Sequence, residues 1–214
     1  MLKIERLVFN PFQENTYLIY DTTGETVIID PGCNDEDEEQ ILVKFIEDHK
    51  LKPVAQIYTH THIDHILGAS FVYQKYGLKP VMHPDAVSFL KGAAKQGQMY
   101  GFEVDDIVEP EKFIEEGEMI EFGKSSLKVL HTPGHVDGHL CFVSKEGKFA
   151  IVGDVLFRDS IGRTDLPTGD FDVLANNIRS KLYSLDPDFT IYPGHGPETT
   201  IGYEIINNPF VNGR

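Results

Sequence analysis

Ile57-Tyr58-Thr59-His60-Thr61-His62-Ile63-Asp64-His65 is a short apolar run that breaks into three histidines and an aspartate within six positions. Residues 53–59 have the length and apolar character of a strand, so this cluster sits at a strand's C-terminal end. In open α/β sheets that is where sites are built, because a loop there faces a crevice while the strand beneath holds it rigid. Imidazole is the commonest metal-ligating side chain, and carboxylate joins it at borderline divalent ions. A solvated polar loop would account for one histidine in this place. It does not account for His60, His62, Asp64 and His65 together, which read as metal ligands.

Further along, the same device recurs three times. Val129-Leu130-His131-Thr132-Pro133-Gly134-His135, Ala150-Ile151-Val152-Gly153-Asp154 and Thr190-Ile191-Tyr192-Pro193-Gly194-His195-Gly196 each run from apolar residues to a His or Asp beside glycine or proline. His135, Asp154 and His195 thereby join the first four candidates. Seven ligands exceed what one tetrahedral zinc takes, since its catalytic form keeps three protein ligands and an open position. Two adjacent ions, typically ~3.5–4 Å apart and able to share a carboxylate, are the natural inference.

The other elements follow from periodicity. Residues 2–9, 15–20 and 25–30 alternate like three strands of an opening antiparallel meander. Over 35–49, Ile41, Leu42, Phe45 and Ile46 recur at helical spacing behind an acidic first turn. Helices are expected at 66–76, 88–100 and 171–185, and strands at 79–82, 118–122, 126–131, 140–144, 149–152 and 189–192. An irregular acidic connector over 101–116 and a mixed tail complete the pattern, which suggests a sheet sandwich flanked by helices.

The 214-residue length suits one domain, residues 1–214. A 41% hydrophobic and 25% charged composition is that of a globular chain. The net charge of −15 argues against a nucleic-acid partner, which needs clustered Lys and Arg. No apolar run reaches membrane-spanning length and the N-terminus lacks a signal-peptide pattern, so a cytoplasmic protein with no membrane partner is expected. Two cysteines are too few for a disulfide framework. Cys141 reads as a buried small hydrophobe, whereas Cys33 sits in the turn-like Pro31-Gly32-Cys33-Asn34, where a side chain can reach solvent.

Through HTHIDH at 60–65, His135, Asp154 and His195, the chain resembles the metallo-β-lactamase fold superfamily over nearly its whole length. The resemblance implies an α/β (α+β) four-layer αββα sandwich with metals at one edge of its two sheets. It implies His60, His62 and His135 on one ion, Asp64, His65 and His195 on the other, and Asp154 bridging. Zinc is the first expectation for both, with iron or manganese as alternatives. Residues 153–157, 160–167 and 193–202 are similar to those of compact bacterial glyoxalase II-like enzymes. That implies a hydroxyacylglutathione hydrolase-like thioesterase, its small-molecule substrate an S-acyl-glutathione.

Two departures bear on that substrate. Conventional members carry a C-terminal helical extension that grips glutathione, and Arg214 leaves little room for one. Arg163 falls at a family glutathione contact, yet Asp165 stands where a tyrosine is found nearby. In the implied mechanism two ions sharing a water lower its pKa, and the bridging hydroxide attacks a polarised thioester carbonyl. Asp64, beside that nucleophile, is the candidate catalytic residue orienting it.

A β-lactamase reading is disfavoured, because those enzymes are exported and several carry cysteine at the Asp154 position. A persulfide dioxygenase, with one iron on His60, His135 and Asp154, is the rival within the superfamily. A non-catalytic metal-binding protein is the rival of another class, although structural zinc sites are usually closed and cysteine-rich. His139, near His135, is expected to orient a ligand through its ring, and Asp30 to cap the loop beneath the metals. Asn15 is expected to bond backbone, His83 and His131 to be structural, and His49 to lie at the surface.

Overall fold

The computed structural model describes residues 2–102, 104 and 107–212. It begins with three antiparallel strands, β1 (Lys3–Phe9), β2 (Glu14–Tyr20) and β3 (Glu25–Ile29). Helix α1 (Glu36–Asp48) crosses to β4 (Lys52–Ile57), which pairs parallel to β3. Asp35 caps α1 by accepting from the Glu38 N–H, and four acidic residues crowd the positive end of its dipole. After β4 come a 3₁₀ turn (Ile63–His65), α2 (Ala69–Tyr76), β5 (Pro80–Met82), α3 (Val87–Tyr100) and β6 (Lys112–Phe113). These six strands form one sheet in chain order.

The second half adds β7 (Met119–Phe122), β8 (Ser125–His131), β9 (Leu140–Ser144), β10 (Phe149–Gly153), the hairpin β11 (Leu156–Phe157) and β12 (Ser160–Ile161), α4 (Phe171–Asn177), β13 (Thr190–Pro193), β14 (Thr199–Thr200) and α5 (Ile201–Asn207). Its sheet runs β14-β13-β10-β9-β8-β7, with β10 and β13 parallel.

Side-chain alternation sorts the strands into layers. Tyr17, Ile19, Val27, Ile29 and Ile57 of the first sheet pack against Leu127, Val129, Leu140, Phe142 and Ile151 of the second. Their neighbours Leu18 and Ile28 point the other way, onto Leu42 and Ile46 of α1 and Val72 of α2. On the far side Cys141, Val143, Ala150 and Val152 meet Leu174, Ile178 and Leu182. The result is the expected α/β order of helix, sheet, sheet, helix. Strands covered on both faces lose the polar alternation of a one-sided sheet, which is why β2, β9 and β10 are buried at every position. Each fully buried Leu or Phe in these layers contributes roughly 1.5–3 kcal/mol.

Several expectations change in detail. Cys33 is 1% exposed, packed in the cluster with Leu42 and Val72 rather than facing solvent. The expected helix over 171–185 is α4 followed by a widened π turn over Ile178–Leu182, closed by Tyr183 N–H on the Ile178 carbonyl, which keeps both apolar ends of that turn buried. The tail holds a strand and a helix, with Thr200 capping α5. The connector over 101–116 contains β6, whose two exposed residues carry no side-chain pattern because only backbone pairing defines it; its positions 103, 105 and 106 lie outside the described residues. No described helix is long and apolar enough to cross a membrane.

The two sheets are also stitched by polar contacts at one edge. Asn15 Nδ2 donates to the carbonyls of Pro193 and Gly196 at 2.9 Å each, its N–H donates to Gly194 O at 2.7 Å, and Tyr17 OH donates to Pro193 O at 2.7 Å. β2 therefore holds the loop that carries His195. Replacing Asn15 by alanine removes two side-chain hydrogen bonds to this loop, and a loss of about 2 kcal/mol in unfolding free energy is expected from urea titration. An unchanged midpoint would contradict this role.

Candidate metal centre

The strand ends bring all seven candidate ligands to one edge of the sandwich, in two groups. His62 Nδ1 lies 3.1 Å from His60 Nε2 and 2.9 Å from His135 Nε2. Asp64 Oδ2 lies 3.1 Å from His195 Nε2 and 3.6 Å from His65 Nε2. Asp154 reaches both groups, with Oδ1 3.5 Å from His65 Nε2 and Oδ2 3.7 Å from His135 Nε2 and 3.6 Å from His195 Nε2.

Hydrogen bonds on the outer ring nitrogens fix which nitrogen of each ring faces inward. His135 Nδ1 donates to the Arg163 carbonyl at 2.8 Å, and His195 Nδ1 to the Phe12 carbonyl at 3.1 Å. His65 Nδ1 donates to Asp30 Oδ2 at 3.0 Å. His60 Nδ1 donates to Thr59 Oγ1 at 3.0 Å, because the Thr59 hydroxyl is spent on Asp30 Oδ2 at 2.6 Å. Each of these four rings thus turns its Nε2 inward, the arrangement that prepares histidine for a metal. His65 Nε2 and Asp154 Oδ1 are buried without a hydrogen-bond partner, as is the outer nitrogen of His62. The donor set fits divalent cations at the two foci.

Electrostatics point the same way. Burial, reinforced by the neighbouring rings, holds His60 well below the usual histidine range and His62 down to about 4, so both keep free lone pairs at neutral pH. Burial also opposes charge on His65, but Asp64, Asp154 and Asp30 outweigh it and raise its pKa well above normal. Burial would raise Asp64, and His65 with His195 overcomes that to lower it. The carboxylates draw positive charge into this half of the site.

Asp30 is the common support. It is 1% exposed and accepts from Thr59 N–H at 2.6 Å, Thr59 Oγ1 and His65 Nδ1, so it orients one ring in each group. Asp30, His60 and His65 also lie within ligand distance of one another, yet both Asp30 oxygens are already taken by donors. His139 stacks on His60 at 4.9 Å and accepts the Asp154 N–H on Nε2 at 3.1 Å. It therefore positions Asp154 rather than its sequence neighbour His135. Gly194 leaves the space that a Cβ would take from Asp154 Oδ1 and His65.

Arg163 does not face the centre as a free cation. Its guanidinium is exposed and forked onto Asp165 through bonds of 2.8 and 2.6 Å, while its carbonyl orients His135. His83, Asp85 and His131 form another close group, but the two rings stack at 4.0 Å and 11°, so their in-plane lone pairs run parallel instead of converging. Asn15 bonds backbone as expected. Thr59 and the carbonyls of Arg163 and Phe12 are supports that the sequence reading missed. A carbonyl has no residue-type signature, but the Asp30 and Thr59 pair sits at adjacent strand ends and could have been read as one.

The model of the metallo-beta-lactamase superfamily matches residues 9–195. Hydroxyacylglutathione hydrolase GloC of Haemophilus influenzae is 38% identical over 215 aligned residues, covering 100% of both chains. Among solved structures, BLEG-1 B3 metallo-beta-lactamase superposes with a TM-score of 0.90 at 30% identity, covering 98% of this chain and 99% of that one. TTHA1623 in a di-iron-bound form superposes at 0.86 with 37% identity, covering 96% and 99%. A matching family model over most of the chain and a full-length relative at this identity join the strand-end His and Asp centre in one conclusion: the chain belongs to the metallo-β-lactamase superfamily.

Proposed function

We propose that this chain is a metal-dependent hydrolase that holds two divalent ions and cleaves thioesters of the S-acyl-glutathione type. The observation that carries the reading is the pair of His and Asp groups on either side of Asp154, with His65 Nε2 and Asp154 Oδ1 buried there without a hydrogen-bond partner. The di-iron relative supports two ions, and the hydroxyacylglutathione hydrolase relative supports the thioester class. Residues 1–214 would act as one domain, since the ligand set draws on both sheets, and the cytoplasm would be its compartment.

Ions bound there would supply a water acidified toward neutrality and an electrophile for a carbonyl oxygen. The chain's own part is positioning. Asp30 and Thr59 fix the tautomers of His60 and His65, and His139 fixes the backbone of Asp154. Asp154 reaches rings of both groups, and Asp64 lies beside both His65 and His195, where it would also orient the attacking water. The leaving group is a thiol with a pKa of about 8.5, which departs as thiolate without a dedicated protein acid.

Elemental analysis of purified protein should give two divalent ions per chain, with hydrolysis of S-lactoylglutathione that a chelator abolishes. One iron per chain with oxygen uptake on glutathione persulfide would instead establish the dioxygenase. Metals without thioester cleavage would leave the family standing and remove the substrate. Asp154→Ala should remain folded and lose more kcat than the roughly 10–100-fold that losing a ligand's partner costs. Full activity in that variant would make the metals structural. Asp30→Asn should weaken metal affinity about 10–100-fold in chelator competition; wild-type affinity would show that Asp30 orients nothing.

A further inference from the structure

Beside His62 lies a groove of about 400 Å³, walled on one side by α3 and on the other by Leu166 and Pro167. One face of α3 lines it, with Ser88, Gly92, Gln96 and Met99 at successive helical turns and Phe89 beside them. The opposite face, Leu90, Ala93 and Gly97, is buried in the protein. The helix is anchored to the ligand loop, because Gln96 Oε1 accepts the Ile63 N–H at 2.8 Å. Phe89 meets the His62 ring edge to face at 5.8 Å. The groove therefore opens directly onto a candidate ligand.

Its two helical glycines differ. Gly97 has a packing reason, since a Cβ there would collide with Val104 and crowd the Phe102 carbonyl. Gly92 has none, because a Cβ there meets nothing within 4 Å. Glycine in a helix interior is destabilising relative to alanine, so at Gly92 an unfavourable residue keeps the groove open rather than relieving a clash. At the mouth, Met99 is 74% exposed and Tyr100 48%, with Phe12 stacked edge-on to Tyr100 at 5.3 Å. Apolar side chains left in water beside a concave site mark a surface that an apolar partner covers.

We infer that this groove is the acyl subsite, holding an apolar chain of about four to six carbons whose carbonyl lies at the metal centre, with Gly92 setting its depth. The inference rests on the thioester reading and names the substrate's other half. A glutathione arm is polar and net negative, and Lys95 is the only cation among the residues lining the groove. An alkyl or aryl acyl chain matches the wall.

The test compares S-hexanoyl- and S-acetylglutathione with metal-loaded protein. Gly92→Leu should lower the hexanoyl-to-acetyl ratio of kcat/KM at least tenfold, with folding checked by circular dichroism. A ratio within twofold of wild type in the folded variant overturns the subsite. If Gly92→Leu does not fold, Met99→Ala should lower the same ratio at least threefold, and an unchanged ratio again overturns it. Should wild type cleave neither thioester, the thioesterase reading fails and calorimetry judges the groove alone. Hexanoate binding at least tenfold tighter than acetate, and weakened by Gly92→Leu, keeps the subsite; equal affinities remove it.

Discussion

One buried carboxylate, Asp30, constrains the geometry of the whole centre. It follows β3 directly with a positive φ of 51°, a left-handed conformation that aspartate tolerates better than most residues. From there it takes three donors from the end of the neighbouring strand and from the loop beyond. A charge at 1% exposure is stable only when its acceptor capacity is filled this way. The same bonds that satisfy Asp30 turn His60 and His65 inward, so the cost of burying one charge is coupled to the aim of two rings.

The layered core explains why this works at a strand end. β3 and β4 are parallel and packed on both faces, so Asp30 and Thr59 emerge side by side from a rigid platform. Across the interlayer core, β10 and β13 are also parallel, and Asp154 and His195 lie just beyond their C-terminal ends. Each sheet thus has parallel strands with candidate ligands past their C-terminal ends, and the sandwich places these ends face to face. Loops alone would not hold seven groups to this accuracy.

Much of this was legible from residue types. HTHIDH, His135, Asp154 and His195 carry their chemistry in their side chains, and the strand runs before them are apolar enough to read. What escaped has a common physical cause. The Arg163 and Phe12 carbonyls act through backbone atoms that every residue possesses, and β6 and the β11–β12 hairpin exist by backbone pairing of two residues a side. The widened turn after α4 leaves the apolar spacing of Leu174, Ile178 and Leu182 intact, so periodicity does not report it. Cys33 went astray because turn residues suggest exposure, whereas α1 folds over this turn.

The ligand groups draw on both halves of the sandwich: His60 to His65 follow β4, while His135, Asp154 and His195 follow strands of the opposite sheet. An ion held by Asp64, His65 and His195 would act as a rivet closing the long loop between Asp64 and His195. Cross-links over long loops remove the most freedom from the unfolded chain, and an ion bound only by the folded state stabilises it by mass action. Metal supply would then govern how long the molecule survives in a cell as well as whether it turns over. Without such an ion, His65 Nε2 and Asp154 Oδ1 stay buried at this edge with no partner.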